Sequence, residues 1–177
     1  MDDSTEKVLA LLADHGERLH LLLVRLTFRE DVAEDLMQEL FLKLTRGNRI
    51  AHVRDLLAYA VRVATNLAFD WRRTRKRMVR TEPAEEGLQA PDRSPSSGLI
   101  ANEEFERVLN ALESVPRSDR DLIVARYLHG QDYNTMARER GRKPDQVRAL
   151  CHKALRRLRR AVEKRSSPQR DEGGTPK

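Results

Sequence analysis

Apolar residues recur at intervals of three and four positions along most of this 177-residue chain, and this spacing limits the folds open to it. Such a period matches the 3.6-residue turn of an α-helix and gives each helix one apolar face. No stretch alternates apolar and polar residues in the way that a half-buried strand requires. The sequence therefore predicts an all-α fold.

Two stretches interrupt the helical spacing. The segment from Thr81 to Gly98 contains three prolines, two glycines and three serines, residue types that are typical of linkers and turns. Residues 166–177 have a similar composition and are predicted to be a disordered tail. These breaks predict a helical domain at residues 1–80, a flexible linker at 81–100 and a second helical domain at 101–165.

The formal net charge of +6 is unevenly distributed. Residues 72–80 contain 6 basic residues and no acidic one, whereas residues 1–71 contain 9 basic and 12 acidic residues. A concentrated positive patch favours a polyanionic partner. Charge alone allows this partner to be a nucleic acid or an acidic membrane surface.

The residue types present disfavour other classes of function. Cys151 is the only cysteine, which excludes a disulfide within the chain and a cysteine-based zinc site. The histidines have no metal-ligand spacing, and there is neither a nucleophile elbow nor a glycine-rich phosphate loop. The most apolar run, Leu19 to Leu26, is too short for a membrane helix, and the amino terminus does not follow the pattern of a signal peptide. We therefore expect a cytoplasmic protein that is not an enzyme, with no metal, no cofactor and no membrane partner.

The first domain is predicted to consist of three or four helices. Apolar positions indicate one or two helices from Val8 to Leu26, another from Val32 to Leu44 that ends near Gly47, and a longer helix from Asp55 to Arg77. The packing face of the long helix comprises Leu56, Ala60, Val63, Ala64, Leu67 and Trp71. The neighbouring face, which we expect to be available for binding, comprises Tyr59, Arg62, Asn66, Phe69, Asp70 and Arg73.

The second domain has the pattern of a helix-turn-helix. Helices are predicted over residues 103–112, 119–128 and 133–140, followed by a last one that starts at Pro144. Asp132 is a suitable N-cap for the short third helix, and Gly141 is a suitable stop. The core face of the last helix is predicted to comprise Val147, Leu150, Cys151, Ala154, Leu155, Leu158 and Val162.

In a helix-turn-helix, the first turns of the second helix meet base edges in the major groove, and other basic residues contact phosphates. The candidates in those first turns are Lys143, Asp145, Gln146, Arg148, Ala149 and His152. Phosphate contacts are predicted further along the helix, for Lys153, Arg156, Arg157, Arg159 and Arg160. The alternative is that this helix is a solvated basic helix of a bundle. We favour DNA binding because a short helix, Gly141 and Pro144 come directly before it.

Four segments of the chain resemble the extracytoplasmic-function (ECF) group of bacterial RNA polymerase sigma factors. Residues 132–158, DYNTMARERGRKPDQVRALCHKALRRL, resemble the promoter-binding helix-turn-helix of that group, and residues 109–130 resemble the helices before it. Residues 33–44, AEDLMQELFLKL, are similar to the sigma helix that binds the clamp helices of the largest polymerase subunit. Residues 58–77, AYAVRVATNLAFDWRRTRKR, are similar to the helix that engages the promoter element near the start site.

The resemblance implies a sigma domain 2-like and a sigma domain 4-like unit, and it implies roles for individual residues. Core-polymerase contacts are implied for Asp35, Gln38, Glu39, Phe41 and Leu42. Without the resemblance, the polar residues among them would be interpreted as a solvated face. Contacts with the start-proximal promoter element are implied for Asn66 and, through phosphates, for Arg62, Arg72, Arg73, Arg75, Lys76 and Arg77. Asp70 and Arg73 also have the spacing of an ordinary ion pair within a helix.

The function implied by the resemblance is that of a sigma factor, which directs polymerase to promoters and helps to open them. Its partners would be core RNA polymerase and promoter DNA. Many members of the family are held inactive by an anti-sigma factor, and these residues leave that partner open. The alternative is a stand-alone helix-turn-helix transcription regulator, which would bind duplex DNA without polymerase. Residues 144–146, 150 and 151 depart from the family pattern, so no promoter sequence is predicted.

Overall fold

The computed structural model describes residues 3–46, 50–81 and 99–166, and within these ranges the protein is built from helices with no strand. Seven α-helices follow one another in the described residues, and a π-helical turn, Val124–Leu128, continues the fifth. They are α1 (Asp3–Thr27), α2 (Glu30–Thr45), α3 (Leu56–Thr81), α4 (Leu99–Leu112), α5 (Arg117–Ile123), α6 (Tyr133–Arg140) and α7 (Pro144–Ser166). The predicted all-α fold is confirmed.

The first three helices pack together around leucine side chains. The segment for which the sequence allowed one or two helices is the single helix α1, and Leu19, Leu23 and Leu26 are fully buried on its inner face. Leu40 and Leu44 of α2 are fully buried in the same core. The chain reverses between α1 and α2 at Phe28, a non-glycine residue with φ of 58°. At this reversal the Thr27 hydroxyl donates to the Leu23 carbonyl at 2.8 Å.

The helix-turn-helix is formed by α6 and α7, and its boundaries follow local side-chain chemistry. Asp132 Oδ1 accepts hydrogen bonds from the backbone N–H groups of Asn134 at 2.8 Å and Thr135 at 2.9 Å, so the predicted N-cap is confirmed. Gly141 ends α6 in the left-handed conformation with φ of 59°. Pro144 then occupies the first position of α7, where its missing N–H costs no helical hydrogen bond.

One residue on the face of α3 that was predicted to be available is in fact buried. Phe69 is fully buried, and the guanidinium carbon of Arg120 in α5 lies 4.4 Å from the centre of its ring. The prediction was wrong because a residue distant in sequence covers this ring. On the predicted packing face, Ala60, Ala64 and Leu67 are buried as expected.

The proposed linker and tail fall largely outside the described residues. Helix α3 extends to Thr81 and α4 begins at Leu99, so the predicted linker reduces to residues 82–98, which are not described. Residues 167–177 of the predicted tail are not described either. The flexibility of both segments therefore stays a prediction. Among the described helices, none combines the length and the apolar character needed to cross a membrane.

The left-handed stop at Gly141 is testable by substitution. Gly141→Ala should lower the free energy of unfolding by about 1–2 kcal/mol, because an L-residue is strained at this φ. The added Cβ would also lie 3.3 Å from Nη1 of Arg54. Gly16→Ala is the matched control within α1, where the nearest atom to the new Cβ is 4.0 Å away. It should be neutral or stabilising by about 0.5–1 kcal/mol. Urea unfolding followed by circular dichroism measures both, and equal changes would contradict the requirement at Gly141.

Candidate functional site

The outer face of α2 carries the residues that the sequence associates with polymerase. Asp35, Gln38 and Glu39 are exposed, while Leu36 and Leu40 anchor the opposite face of the helix in the core. Glu39 pairs with Lys43 one turn later, with an N–O distance of 3.1 Å. The polar side chains are therefore presented on a rigid, packed helix rather than on a loop.

An apolar groove lies beside these polar residues. It is lined by Leu12, Met37, Gln38, Phe41 and Leu42. The side chain of Leu42 is exposed, with 47% of its surface accessible, and Phe41 is half-buried. The sequence identified Gln38, Phe41 and Leu42 but missed Leu12 and Met37. Leu12 belongs to α1, and no pattern within α2 could indicate its proximity. We call the outer face of α2 together with this groove the α2 surface.

The recognition helix α7 presents all of its predicted DNA contacts to solvent. Lys143 before the helix is exposed, as are the seven candidates on α7: Asp145, Gln146, Arg148, Ala149, His152, Lys153 and Arg156. The opposite face of the helix packs into the core through Val147, Cys151 and Ala154, which are fully buried. Its exposed side is thus a strongly basic surface, suited to a polyanion.

Contacts of an aromatic ring, an amide and a carboxylate organise the first turns of α7. The guanidinium carbons of Arg126 and Arg148 lie 4.5 and 5.4 Å from the ring centre of Tyr133, a residue that the sequence analysis did not select. The Lys143 backbone N–H donates to Gln146 Oε1 at 3.1 Å. Arg148 is also 3.6 Å from Asp145. These contacts restrict side chains that are expected to meet base edges.

The predicted binding face of α3 makes contacts with the second half of the chain. Asn66 Oδ1 accepts a hydrogen bond from Nε of Arg117 in α5. Asp70 lies 3.9 Å from Arg73, the spacing expected of an ion pair within the helix, and 3.6 Å from Arg117. Arg62 Nη1 is 2.9 Å from Glu139 Oε1 of α6. This is a close ion pair that lacks hydrogen-bond geometry, since Glu139 Oε1 has no hydrogen-bond partner among the described residues.

Arg72 is buried instead of being exposed to phosphates. Its guanidinium donates to the Leu26 carbonyl at 3.1 Å, to Asn110 Oδ1 at 3.0 Å and to Glu113 Oε1 at 2.8 Å. Lys76 donates to Asn110 Oδ1 and to Glu113 Oε2, each at 2.6 Å. In this conformation Arg72 cannot reach a phosphate. The prediction that Arg72 contacts DNA phosphates is therefore wrong for this conformation.

Arg73, Arg75 and Arg77 near the end of α3 are at least partly exposed. Arg73 and Arg77 are exposed, and the Arg75 guanidinium carbon lies 5.3 Å from the ring centre of Trp71. Trp71 is half-buried and packs against the core, in agreement with its predicted packing position. The cationic end of α3 therefore divides into residues that face solvent and residues, Arg72 and Lys76, that are engaged by α4.

Asp121 and His129 are buried titratable residues in the second half of the chain. Burial raises the pKa of the Asp121 carboxyl from its ordinary value of 3.8 to about 6, although Arg120 and Arg117 oppose the shift. Asp121 Oδ1 has no hydrogen-bond partner among the described residues. Burial and the nearby Arg18 guanidinium lower the pKa of His129 to about 4. Arg18 reaches this residue from α1 and donates to its carbonyl at 3.2 Å.

Comparison with known proteins finds a family model that matches part of the chain. Residues 11–78, which contain most of α1, all of α2 and most of α3, match the family model of sigma-70 region 2. The chain is 28% identical over 159 residues to the ECF RNA polymerase sigma factor SigE of Mycolicibacterium smegmatis. That alignment covers 89% of this chain and 62% of the relative, so the chain spans about three fifths of the relative's length.

Two solved structures of other proteins are similar to this chain to different degrees. A structure of CnrH in complex with the cytosolic domain of CnrY matches with a TM-score of 0.51 and 18% identity, covering 93% of this chain and 92% of the other. This likeness shows a shared fold. The sigma factor RpoE, in complex with the anti-sigma factor NepR from Bartonella quintana, gives a TM-score of 0.46 and 20% identity over 92% and 98% of the two chains.

The buried carboxyl of Asp121 predicts a pH-dependent effect of its substitution. Because the pKa of Asp121 is raised in the folded state, the protonated carboxyl stabilises the fold. This contribution to the free energy of unfolding is complete below about pH 3.8 and is lost as the pH rises through about 6. Asp121→Asn avoids this loss and should raise the free energy of unfolding by about 1–3 kcal/mol at pH 7.5. The gain should shrink towards pH 4.

Urea unfolding of wild type and variant at several pH values measures the difference. Asp14→Asn, at an exposed position of α1, controls for the loss of one negative charge. A gain for Asp121→Asn that is the same at pH 4 and pH 7.5 would contradict the ionisation argument.

Proposed function

We propose that this chain is a sigma factor that directs RNA polymerase to promoters and helps to open them, because residues 11–78 match the family model of sigma-70 region 2. The resemblance to ECF sigma factors that the sequence predicted is confirmed by the relative and by the family match. The observation that carries the proposal is the position of that match, because the α2 surface and the Asn66 face of α3 both lie inside it.

The α2 surface would bind core polymerase. Exposed carboxylate and amide groups can pair with basic side chains of a partner helix, and the groove beside them offers an apolar contact that loses water on binding. Polar groups at the rim with an apolar centre are the usual composition of a protein interface. The packed leucines of α2 hold this surface in place before the partner arrives.

The recognition helix would bind the distal promoter element as duplex DNA. Short or forked polar side chains at its first turns, Gln146 and Arg148 above all, can pair with base edges in the major groove. Arg156 and Lys153 would contribute phosphate contacts, which give affinity but no sequence selectivity. Arg157 lies 2.5 Å from the buried carboxylate of Asp119, so it supports the fold of the domain as well.

The binding face of α3 would engage the start-proximal element. The side chain of Asn66 offers one acceptor and two donors, which can follow the edge of an unpaired base, whereas arginines can only donate. Unstacking a base costs a few kcal/mol, so a face that captures unpaired bases favours the open duplex. This role requires no reaction by the residues of this chain. A cytoplasmic location follows from the partner that we propose.

A stand-alone transcription regulator is the second candidate, and the helix-turn-helix alone would suit it. A regulator of this kind would not use the α2 surface. That surface is preorganised and partly apolar, as a protein-binding surface is. The two candidates differ in whether specific DNA binding requires core polymerase. An anti-sigma factor is a further proposed partner, in keeping with the ECF family.

Substitution of the polar residues of the α2 surface tests the polymerase contact. Replacing Asp35, Gln38 and Glu39 by alanine should weaken binding to core polymerase by at least about tenfold, which corresponds to about 1.4 kcal/mol. Run-off transcription on a promoter library should fall in parallel while the helical content is unchanged. Asp14→Ala combined with Glu17→Ala removes the same formal charge from exposed positions of α1 and serves as the control. Full binding and transcription by the triple variant would defeat the assignment.

Substitutions along α7 separate base contacts from phosphate contacts. Gln146→Ala and Arg148→Ala should change which promoter sequences are used, since each lost base contact costs about 1–3 kcal/mol at one position. Arg160→Ala should weaken transcription from all sequences alike and reduce its salt dependence. Sequencing of transcripts from a randomised distal element, with core polymerase present, measures both effects. If transcription from every sequence fell equally in all three variants, these residues would contribute only to non-specific DNA binding.

A further inference from the structure

Tyr133 is the first residue of α6, and its ring is in contact with two arginines from other segments. The guanidinium carbon of Arg126 lies 4.5 Å from the centre of the ring, and that of Arg148 lies 5.4 Å from the same point. Arg148 is one of the side chains of α7 that we propose to read base edges, whereas Tyr133 and Arg126 have no part in the proposed function. The ring therefore links a base-reading side chain to a residue outside the recognition helix.

The ring of Tyr133 is itself held in place. Asp132 Oδ1 caps α6 by accepting hydrogen bonds from two backbone N–H groups, so the backbone that carries the ring has a defined direction. The ring is partly buried and packs against the core. Arg126 lies in the π-helical turn and is restrained as well, because its Nη1 donates to the Gln131 carbonyl at 2.8 Å. The ring is thus a fixed platform for Arg148.

The carboxylate of Asp145 is a second neighbour of Arg148, but it is the weaker restraint. Nη1 of Arg148 lies 3.6 Å from Asp145 Oδ1, and the two side chains are 57% and 92% exposed. An ion pair as exposed as this one is screened by salt and has to order two mobile side chains. The contact with the ring orders only Arg148, because packing already holds Tyr133. The ring therefore has the larger influence on the direction of Arg148.

An aromatic ring restrains a guanidinium without using its hydrogen-bond donors. The guanidinium has five N–H donors in a fixed fork, and it reads a base edge through two of them. A carboxylate binds those same donors, whereas a ring attracts the positive charge through its face. Arg148 on the Tyr133 ring thus keeps its donors for a base and loses less side-chain freedom when it binds DNA.

We propose that Tyr133 is a positioning residue for promoter recognition: its ring, braced by Arg126, holds Arg148 in the direction in which the guanidinium meets one base pair of the distal element. The inference deepens the proposed function and rests on it, because it concerns a base contact of the recognition helix. A residue of α6 then sets how strictly one position of the promoter is read.

The test uses the full chain with core polymerase on templates with a randomised distal element, and it measures discrimination between bases at each position. Arg148→Ala should lower discrimination by about five- to hundredfold at the position that Arg148 reads, which identifies that position. Tyr133→Leu keeps an apolar side chain but removes the ring, and it should lower discrimination there by about two- to fivefold. Discrimination at the position identified by Gln146→Ala should be unchanged.

Tyr133→Phe is the matched control, because it keeps the ring and should discriminate as well as wild type. Tyr133→Leu combined with Arg148→Ala should discriminate no worse at this position than Arg148→Ala alone, because the ring then has no guanidinium to position. A merely structural role of Tyr133 would lower transcription from all sequences alike. Discrimination is a ratio between sequences within one sample, so a smaller amount of folded protein does not change it. If Tyr133→Leu lacks helical content by circular dichroism, Tyr133→Met takes its place with the same expectation.

Failure of the positioning role and failure of the proposed function give different results. If wild type with core polymerase initiates transcription at no sequence in the library, the sigma-factor proposal fails, and the role of Tyr133 fails with it. If wild type does initiate, while Tyr133→Leu keeps full discrimination at the position of Arg148 or loses it equally at every position, only the positioning role fails. That role fails as well if Arg148→Ala changes the preference at no position, since there is then no base contact to position.

Discussion

The hydrogen-bonded position of Arg72 is the interaction on which the arrangement of helices depends most. Its guanidinium, only 6% exposed, joins the end of α1 through the Leu26 carbonyl to α4 through Asn110 and Glu113. A buried charge is tolerated only when its donors are paired, and removing one partner strands the other. Arg72 therefore fixes where α4 lies against the first three helices. The contacts of α5 and α6 with α3 accompany that placement.

Local features of the helices could be predicted from sequence because their causes are local. Asp132, Gly141 and Pro144 set the ends of α6 and α7 through capping, left-handed backbone and a missing N–H, all of which are visible in a few neighbouring residues. The exposed side of α7 follows in the same way from its apolar period. The π-helical turn at Val124–Leu128 was not foreseen, since its apolar positions fit an ordinary helix.

The burial of Phe69 and Arg72 could not be predicted, because their partners lie far away in the sequence. Arg72 meets Asn110 and Glu113 across separations of 38 and 41 residues, and nothing in the pattern of α3 indicates either. By its local pattern, a basic residue in a run of arginines is expected to be solvated. The DNA-binding role of α3 stays a prediction, and the burial of its residues depends on contacts that only the folded chain shows.

The charged residues between α3 and the second half of the chain have more than one neighbour each. Glu139 pairs with Arg62 and also with Arg140 at 2.7 Å, and the Arg62 guanidinium carbon lies 5.2 Å from the centre of the Tyr59 ring. Glu113 binds Arg72 through one oxygen and Lys76 through the other. Because partly buried ions are costly unless they are paired, sharing each charge between two neighbours lowers the cost of holding α4 and α6 against α3.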